Sequence, residues 1–160
     1  MTPEERLVEL GLDLPPVVAP VAAYVPAVRT GSYVYTAGQL PLRDGALMHT
    51  GKVDAEVSPE EAYECARQCA LNALAAVRSQ VGDLSAITRV VKLVGFVSSV
   101  PTFTGQPQVV NGASELLGQI FGDGGQHARS AVGVPVLPLD APVEVELVVA
   151  AGSTPTIHHF

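Results

Sequence analysis

The segment Ala128–Ala150, ARSAVGVPVLPLDAPVEVELVVA, decides what kind of sheet this chain can build. Two valine-rich runs flank a Pro-rich break, and both read as strands. In the second run Val143, Val145, Leu147 and Val149 share one face, and Glu144, Glu146, Val148 and Ala150 share the other. The first face suits a core closed by helices. The second sets two carboxylates among apolar residues. Arg129, Ala131 and Gly133 share a face of the first run. Buried charge is costly unless it is paired or used. Two readings are open at this point. An Arg–Glu ion pair could tie the strands together. Alternatively, Arg129 stands free at a sheet edge or subunit seam, where its planar fork can hold a carboxylate in two hydrogen bonds.

Upstream, SPEEAYECARQCALNALAAVRSQVG reads as a long helix. Ser58, Pro59 and Glu61 supply N-cap, N1 and capping-box partner, and Gly82 stops it. Its stripe of Ala62, Cys65, Ala66, Cys69, Ala73, Ala76 and Val77 is made of small residues, which let a helix lie close to a sheet. ITRVVKLVGFVSSV is a strand with apolar residues on both faces, and VVNGASELLGQIFG a weaker, glycine-containing helix. Nearer the N-terminus, strands are expected at roughly 24–29 and 33–38 around Thr30-Gly31-Ser32, and a hairpin turn at Asp44-Gly45. TPEERLVELG reads as a short capped helix, and LDLPPVVAP as an extended leader.

The expected division is a leader over residues 1–22, one domain over 23–152 and a tail over 153–160. The fold class is α+β: a mixed sheet with two helices on one face. The other face lacks a cover within this chain, and self-association is the economical answer.

At 160 residues and 48% hydrophobic composition the chain can bury a substantial core. A net charge of −7 and the lack of a basic cluster speak against nucleic acid as a partner. The acidic start MTPEERLVEL is unlike a signal peptide, and no apolar run is long enough for a membrane helix, so a cytoplasmic location is expected. Cys65 and Cys69 read as small buried residues. GDGG at 122–125 follows a helix instead of leading into one, so it reads as loop and not as a phosphate cradle. His49 and His127 stand isolated in sequence, and His158-His159 reads as tail. No metal and no cofactor are expected, since no H-E-x-x-H, C-x-x-C, G-x-S-x-G or Walker pattern occurs.

From about Tyr24 to Ala150 the sequence resembles the Rid family, also called the YjgF/YER057c/UK114 family. AYVPAVRTGSYVYTAGQLP resembles the family's N-terminal GPYxxAVxxGxxxYxSGQxP. ITRVVKLVGFVSSV is similar to its central strand, and FTGQPQVVNGASELLGQIFG to its Asn-bearing helix. ARSAVGVPVLPLDAPVEVELVVA resembles its C-terminal xRSxVxVxxLPxxAxVEIExxA. The longer leader and the wording of the Asn helix look like a less-studied branch.

The resemblance implies a chorismate-mutase-like (YjgF-type) protomer in a homotrimer, with the sheets forming a central barrel and pockets at the subunit seams. It implies hydrolysis of reactive 2-imino (enamine/imine) acids to 2-oxo acids and ammonia. Arg129 matches the arginine that clamps the substrate carboxylate, and Glu144 the glutamate near the hydrolytic water. Tyr24 and Asn111 match pocket residues, Gly38 and Gln39 stand in the SGQ turn, and Ser130 follows the clamp. Two departures thin the polar complement: Ala37 replaces the family serine, and Ala131 stands where some members carry cysteine. A protein of the same fold that only binds or senses a small carboxylate metabolite is the alternative.

Overall fold

The computed structural model describes residues 1–20 and 22–152. In chain order these form α1 (Pro3–Glu9), β1 (Ala27–Thr30), β2 (Tyr33–Thr36), β3 (Leu42–Arg43), β4 (Ala46–Leu47), α2 (Pro59–Val81), β5 (Ile87–Ser98), α3 (Gln106–Phe121), β6 (Ala128–Val134) and β7 (Val143–Ala151). The expected order of elements holds. The first two sheet strands are shorter than the sequence suggests, because Tyr24 and Val25 lie outside the ladder and β2 ends at a bulge. The expected tail, with His158 and His159, lies outside the described residues.

Both expected capping boxes form. The hydroxyls of Thr2 and Ser58 accept from the backbone N–H groups of Glu5 and Glu61, whose carboxylates accept from the cap residues in return. At the β3–β4 turn Asp44 and Gly45 both take positive φ, 54° and 82°, the conformation a tight hairpin turn needs.

One five-stranded sheet runs in the order β1-β2-β7-β5-β6. Only β5 and β6 run parallel, joined by the α3 crossover; the remaining pairs are antiparallel. Helices α2 and α3 cover one face. Against them lie Val34, Leu93, Val97, Val143, Val145, Leu147 and Val149, all buried. The small-residue stripe of α2 is buried throughout, with the thiols of Cys65 and Cys69 unbridged. Burial pushes the Cys65 thiol up to about 12 and that of Cys69 well above its ordinary value. Both therefore act as packing residues and not as nucleophiles. Leu7 of α1 reaches the same core, and the Glu4 carboxylate accepts from the Leu84 N–H at 2.6 Å.

The opposite face of the sheet carries no helix. Val28, Tyr33, Tyr35 and Val132 are exposed there, and Val94, Phe96, Glu144, Glu146 and Val148 are half-buried. An uncovered apolar sheet face of this kind is what a subunit contact would bury.

Candidate functional site

Strand register separates the two charged residues of the decisive segment. Arg129 lies beside Leu93, which lies beside Leu147. Residues adjacent across strands point the same way. Leu93 and Leu147 are buried under the helices, so Arg129 also points to the helix side. Glu144 lies beside Phe96, which lies beside Val132, on the bare face. The expected glutamate face is therefore correct. Arg129 and Glu144, however, stand on opposite faces of one sheet.

The ion-pair reading of Arg129 gives way to a different set of partners. Its Nη1 donates to Ser114 Oγ at 3.1 Å, and its Nη2 to the carbonyl of Pro107 at 3.2 Å. Both partners belong to α3 and both are neutral. On this face of β6, an edge strand paired only with β5, Arg129 meets α3 and no acidic side chain. Among the described residues the only contact between a basic and an acidic side chain within 4.0 Å is His49–Glu61, at 3.3 Å. Arg129, Asn111, Ser114, Gly125 and His127 line an open cavity of about 360 Å³. His127 Nε2 lies 2.9 Å from Ser114 Oγ, and its Nδ1 lies 2.6 Å from the Gly125 carbonyl. The short turn Gly122–Gly125 makes this meeting possible. It reverses the chain after α3 so tightly that a Cβ on Gly125 would come within 2.3 Å of the Leu117 carbonyl.

A second group forms around Glu144. Strands β2 and β7 pair regularly to Tyr35–Val148, and the next bridge is Gln39–Val145. Four residues on one side thus match three on the other, which is a bulge. Thr36 points inward like Val34 by the regular alternation of β2, and its hydroxyl accepts from the Leu147 N–H at 3.0 Å. The bulge lays Gly38 against Glu144. A Cβ on Gly38 would stand 2.7 Å from Glu144 Oε1, so the glycine makes room for the carboxylate. Burial first, and the neighbouring Glu146 second, hold the Glu144 carboxyl above its ordinary value. Tyr24, Gly38 and Gln39 line a cavity of about 110 Å³ beneath Leu139. Leu139 and Asp140 both take positive φ, 57° and 58°, a strained loop of the kind found beside binding sites.

The remaining expected residues fall outside both linings. Ala37 donates its N–H to Pro26 and accepts from the Gln39 side chain. Ser130 is exposed on the bare face, beside Val94, whose other neighbour is Glu146. Ala131 packs against the core on the Arg129 side. Ser114 and His127 are the residues that sequence reasoning missed as a pair. They are 13 positions apart on different elements, and no local pattern links them.

A sheet of this order, with two crossing helices on one face and an unpaired arginine beside an asparagine-bearing helix, defines a family. Residues 4–150 match the family model described as "YjgF/chorismate_mutase-like, putative endoribonuclease". The chain belongs to that family. It is 44% identical over 145 residues to Protein TCP17 of Trypanosoma cruzi, covering 90% of this chain and 91% of the relative. The solved structure of Atu1372 from Agrobacterium tumefaciens, a protein of unknown function, matches with a TM-score of 0.87 and 44% identity, over 95% of this chain and 94% of that one. Escherichia coli TdcF, solved with bound serine, shares the fold at a TM-score of 0.60 and 22% identity, over 87% of this chain and 94% of that one.

Proposed function

We propose that the protein hydrolyses 2-imino acids to 2-oxo acids and ammonia at sites completed between copies of the chain in a homotrimer. The observation that carries this reading is Arg129, a guanidinium open to a cavity and held only by neutral oxygens. Such a group has charge to spare for a ligand carboxylate. Serine bound to TdcF is a ligand with a carboxylate, which agrees with this chemistry. Asn111 shares the cavity and supplies an amide beside the clamp. Glu144 faces the bare, apolar side of the sheet, the side through which copies would pack. A neighbouring copy could therefore bring its Glu144, with Tyr24 and Gly38, to this copy's Arg129 and Asn111.

An imine carbon is already electrophilic, so the site has only to orient it and manage protons. The Glu144 carboxylate takes a proton from the attacking water. The C–O bond forms, the C=N π pair moves to nitrogen, and nitrogen receives that proton. The resulting carbinolamine then loses ammonia. The buried free thiols of Cys65 and Cys69 agree with a reducing, cytoplasmic setting.

The raised value of Glu144 fixes the sign of the pH dependence. The base must be ionised, so turnover falls as pH drops through a value raised above that of an ordinary glutamate. Glu144→Gln removes that limb and lowers kcat by about 10²–10⁴-fold. Stability moves in the other sense. Between the unfolded and the raised folded values the native state binds more protons than the unfolded chain, so stability falls as pH rises through that window. Glu144→Gln flattens this slope in thermal melts taken from pH 4 to 7. Gly38→Ala pushes the carboxylate aside, so it reduces kcat while leaving the melting temperature nearly unchanged.

Ala37, standing where the family pattern has a serine, favours a second reading, a carboxylate-binding protein without turnover. Imine generated by an amino-acid oxidase and followed by semicarbazide trapping separates the two. Equal decay with wild type and Arg129→Ala, across several substrates, would leave only binding. The acidity of the chain argues against RNA as substrate.

A further inference from the structure

The hydroxyl that Ala37 lacks has a replacement on the Arg129 side. Ser114 Oγ sits between two nitrogens, Arg129 Nη1 at 3.1 Å and His127 Nε2 at 2.9 Å. Arginine can only donate, so one oxygen lone pair of Ser114 is occupied by Arg129. His127 Nδ1 lies 2.6 Å from the carbonyl of Gly125, which can only accept, so this nitrogen carries the imidazole proton. Nε2 is then a bare acceptor in the neutral ring, and the Ser114 hydroxyl donates to it. With a neutral ring the chain runs in one direction: Arg129 to Ser114, Ser114 to His127, His127 to the backbone. Three of its members line the cavity that the carboxylate clamp faces.

We propose that Ser114 is a catalytic residue of the imine hydrolysis and that His127 is its positioning residue and proton store. This rests on the reading that Arg129 holds the substrate carboxylate. The imine carbon is bonded directly to that carboxylate, so it lies close to a hydroxyl already in contact with Arg129. Collapse of the carbinolamine requires one proton to travel from its hydroxyl to its nitrogen. The carbinolamine O–H proton passes to Ser114 Oγ as the serine proton passes to His127 Nε2. The imidazolium then returns its proton through Ser114 to the carbinolamine nitrogen, restoring the neutral ring. As the oxygen forms the carbonyl the C–N bond breaks, and its electron pair leaves with the protonated nitrogen as ammonia. Glu144 thus serves the addition of water, and the Ser114–His127 pair serves the collapse. The substrate class that follows is narrow: imino acids whose reacting carbon is adjacent to the carboxylate.

Steady-state kinetics on full-length Ser114→Ala and Ser114→Thr provide the test. Alanine is expected to lower kcat about 10²-fold with KM changed less than about threefold, and threonine, which keeps the hydroxyl, to recover most of the loss. A raised KM at unchanged kcat would mean that Ser114 merely anchors Arg129, and a threonine variant as slow as alanine would also overturn the proposal. Nitrogen-15 NMR of wild-type His127 provides an independent readout that needs no turnover. The expected signature is a protonated Nδ1 and a bare Nε2 whose resonance moves when pyruvate, a 2-oxo acid product, is added. If wild type hydrolyses no imine, the functional reading fails, and the NMR result decides the pair on its own: a protonated Nε2, or one unmoved by pyruvate, refutes it.

Discussion

Alanine at position 129 is expected to lower kcat/KM for a 2-imino acid by about 10²–10⁴-fold, because hydrogen bonds to charged groups contribute about 1.5–3 kcal/mol each and two are lost. The fold should survive. Arg129 is only half-buried, it lies on an edge strand, and its two partners are a hydroxyl and a carbonyl that water can satisfy in its absence. Lysine at the same position keeps the charge but loses the fork, so it should recover only part of the affinity. Inhibition by a simple 2-oxo acid offers a second measurement. The inhibition constant should weaken in parallel with kcat/KM if Arg129 holds the carboxylate, and should stay constant if it does not.

A second large effect is expected at Gly112, on the helix that carries the site. Helices α2 and α3 cross so closely there that a Cβ would stand 2.0 Å from the Tyr63 carbonyl and 3.3 Å from the Ala66 Cβ. The obstructing atom is backbone and cannot rotate away. Gly112→Ala should therefore destabilise the protein by about 3 kcal/mol, the upper end of ordinary overpacking. For a domain of this size that lowers the melting temperature by about 10 °C. Gly118 provides the contrast on the same helix. Nothing lies within 4 Å of a Cβ there, and alanine is the better helix former by about 1 kcal/mol. Gly118→Ala should raise the melting temperature slightly. Thermal denaturation of the two variants, side by side, reads out both signs.

Much of this architecture is legible in the residues because it is written in local chemistry. Ser58-Pro59 with Glu61 fixes the start of α2, Asp44-Gly45 fixes a hairpin, and the Val/Glu alternation of β7 is enough by itself to assign its two faces. The face taken by Arg129 is not legible in this way. Alternation says that Arg129, Ala131 and Gly133 point together, but only pairing with Leu93 says which way. The β2 bulge is equally silent, since it depends on the register between Tyr35–Val148 and Gln39–Val145 and leaves no mark beyond Gly38. Family resemblance brought Arg129, Asn111, Glu144, Tyr24 and Gly38 forward as one set. The fold divides them into two groups, one under α3 and one on the bare face of the sheet. Ser114 and His127 escaped notice because a helix position and a strand entry meet only after the Gly122–Gly125 turn reverses the chain.

That division into two groups makes the central claim directly measurable. If Arg129 of one copy works with Glu144 of another, two inactive variants can repair each other. Arg129→Ala and Glu144→Gln chains should each be nearly inactive alone. When they are unfolded together in equal amounts and refolded as mixed assemblies, about a quarter of the seams pair an intact arginine with an intact glutamate. Imine hydrolysis in the mixture should then return to about a quarter of the wild-type rate. A mixture no more active than its two parents would contradict a shared site.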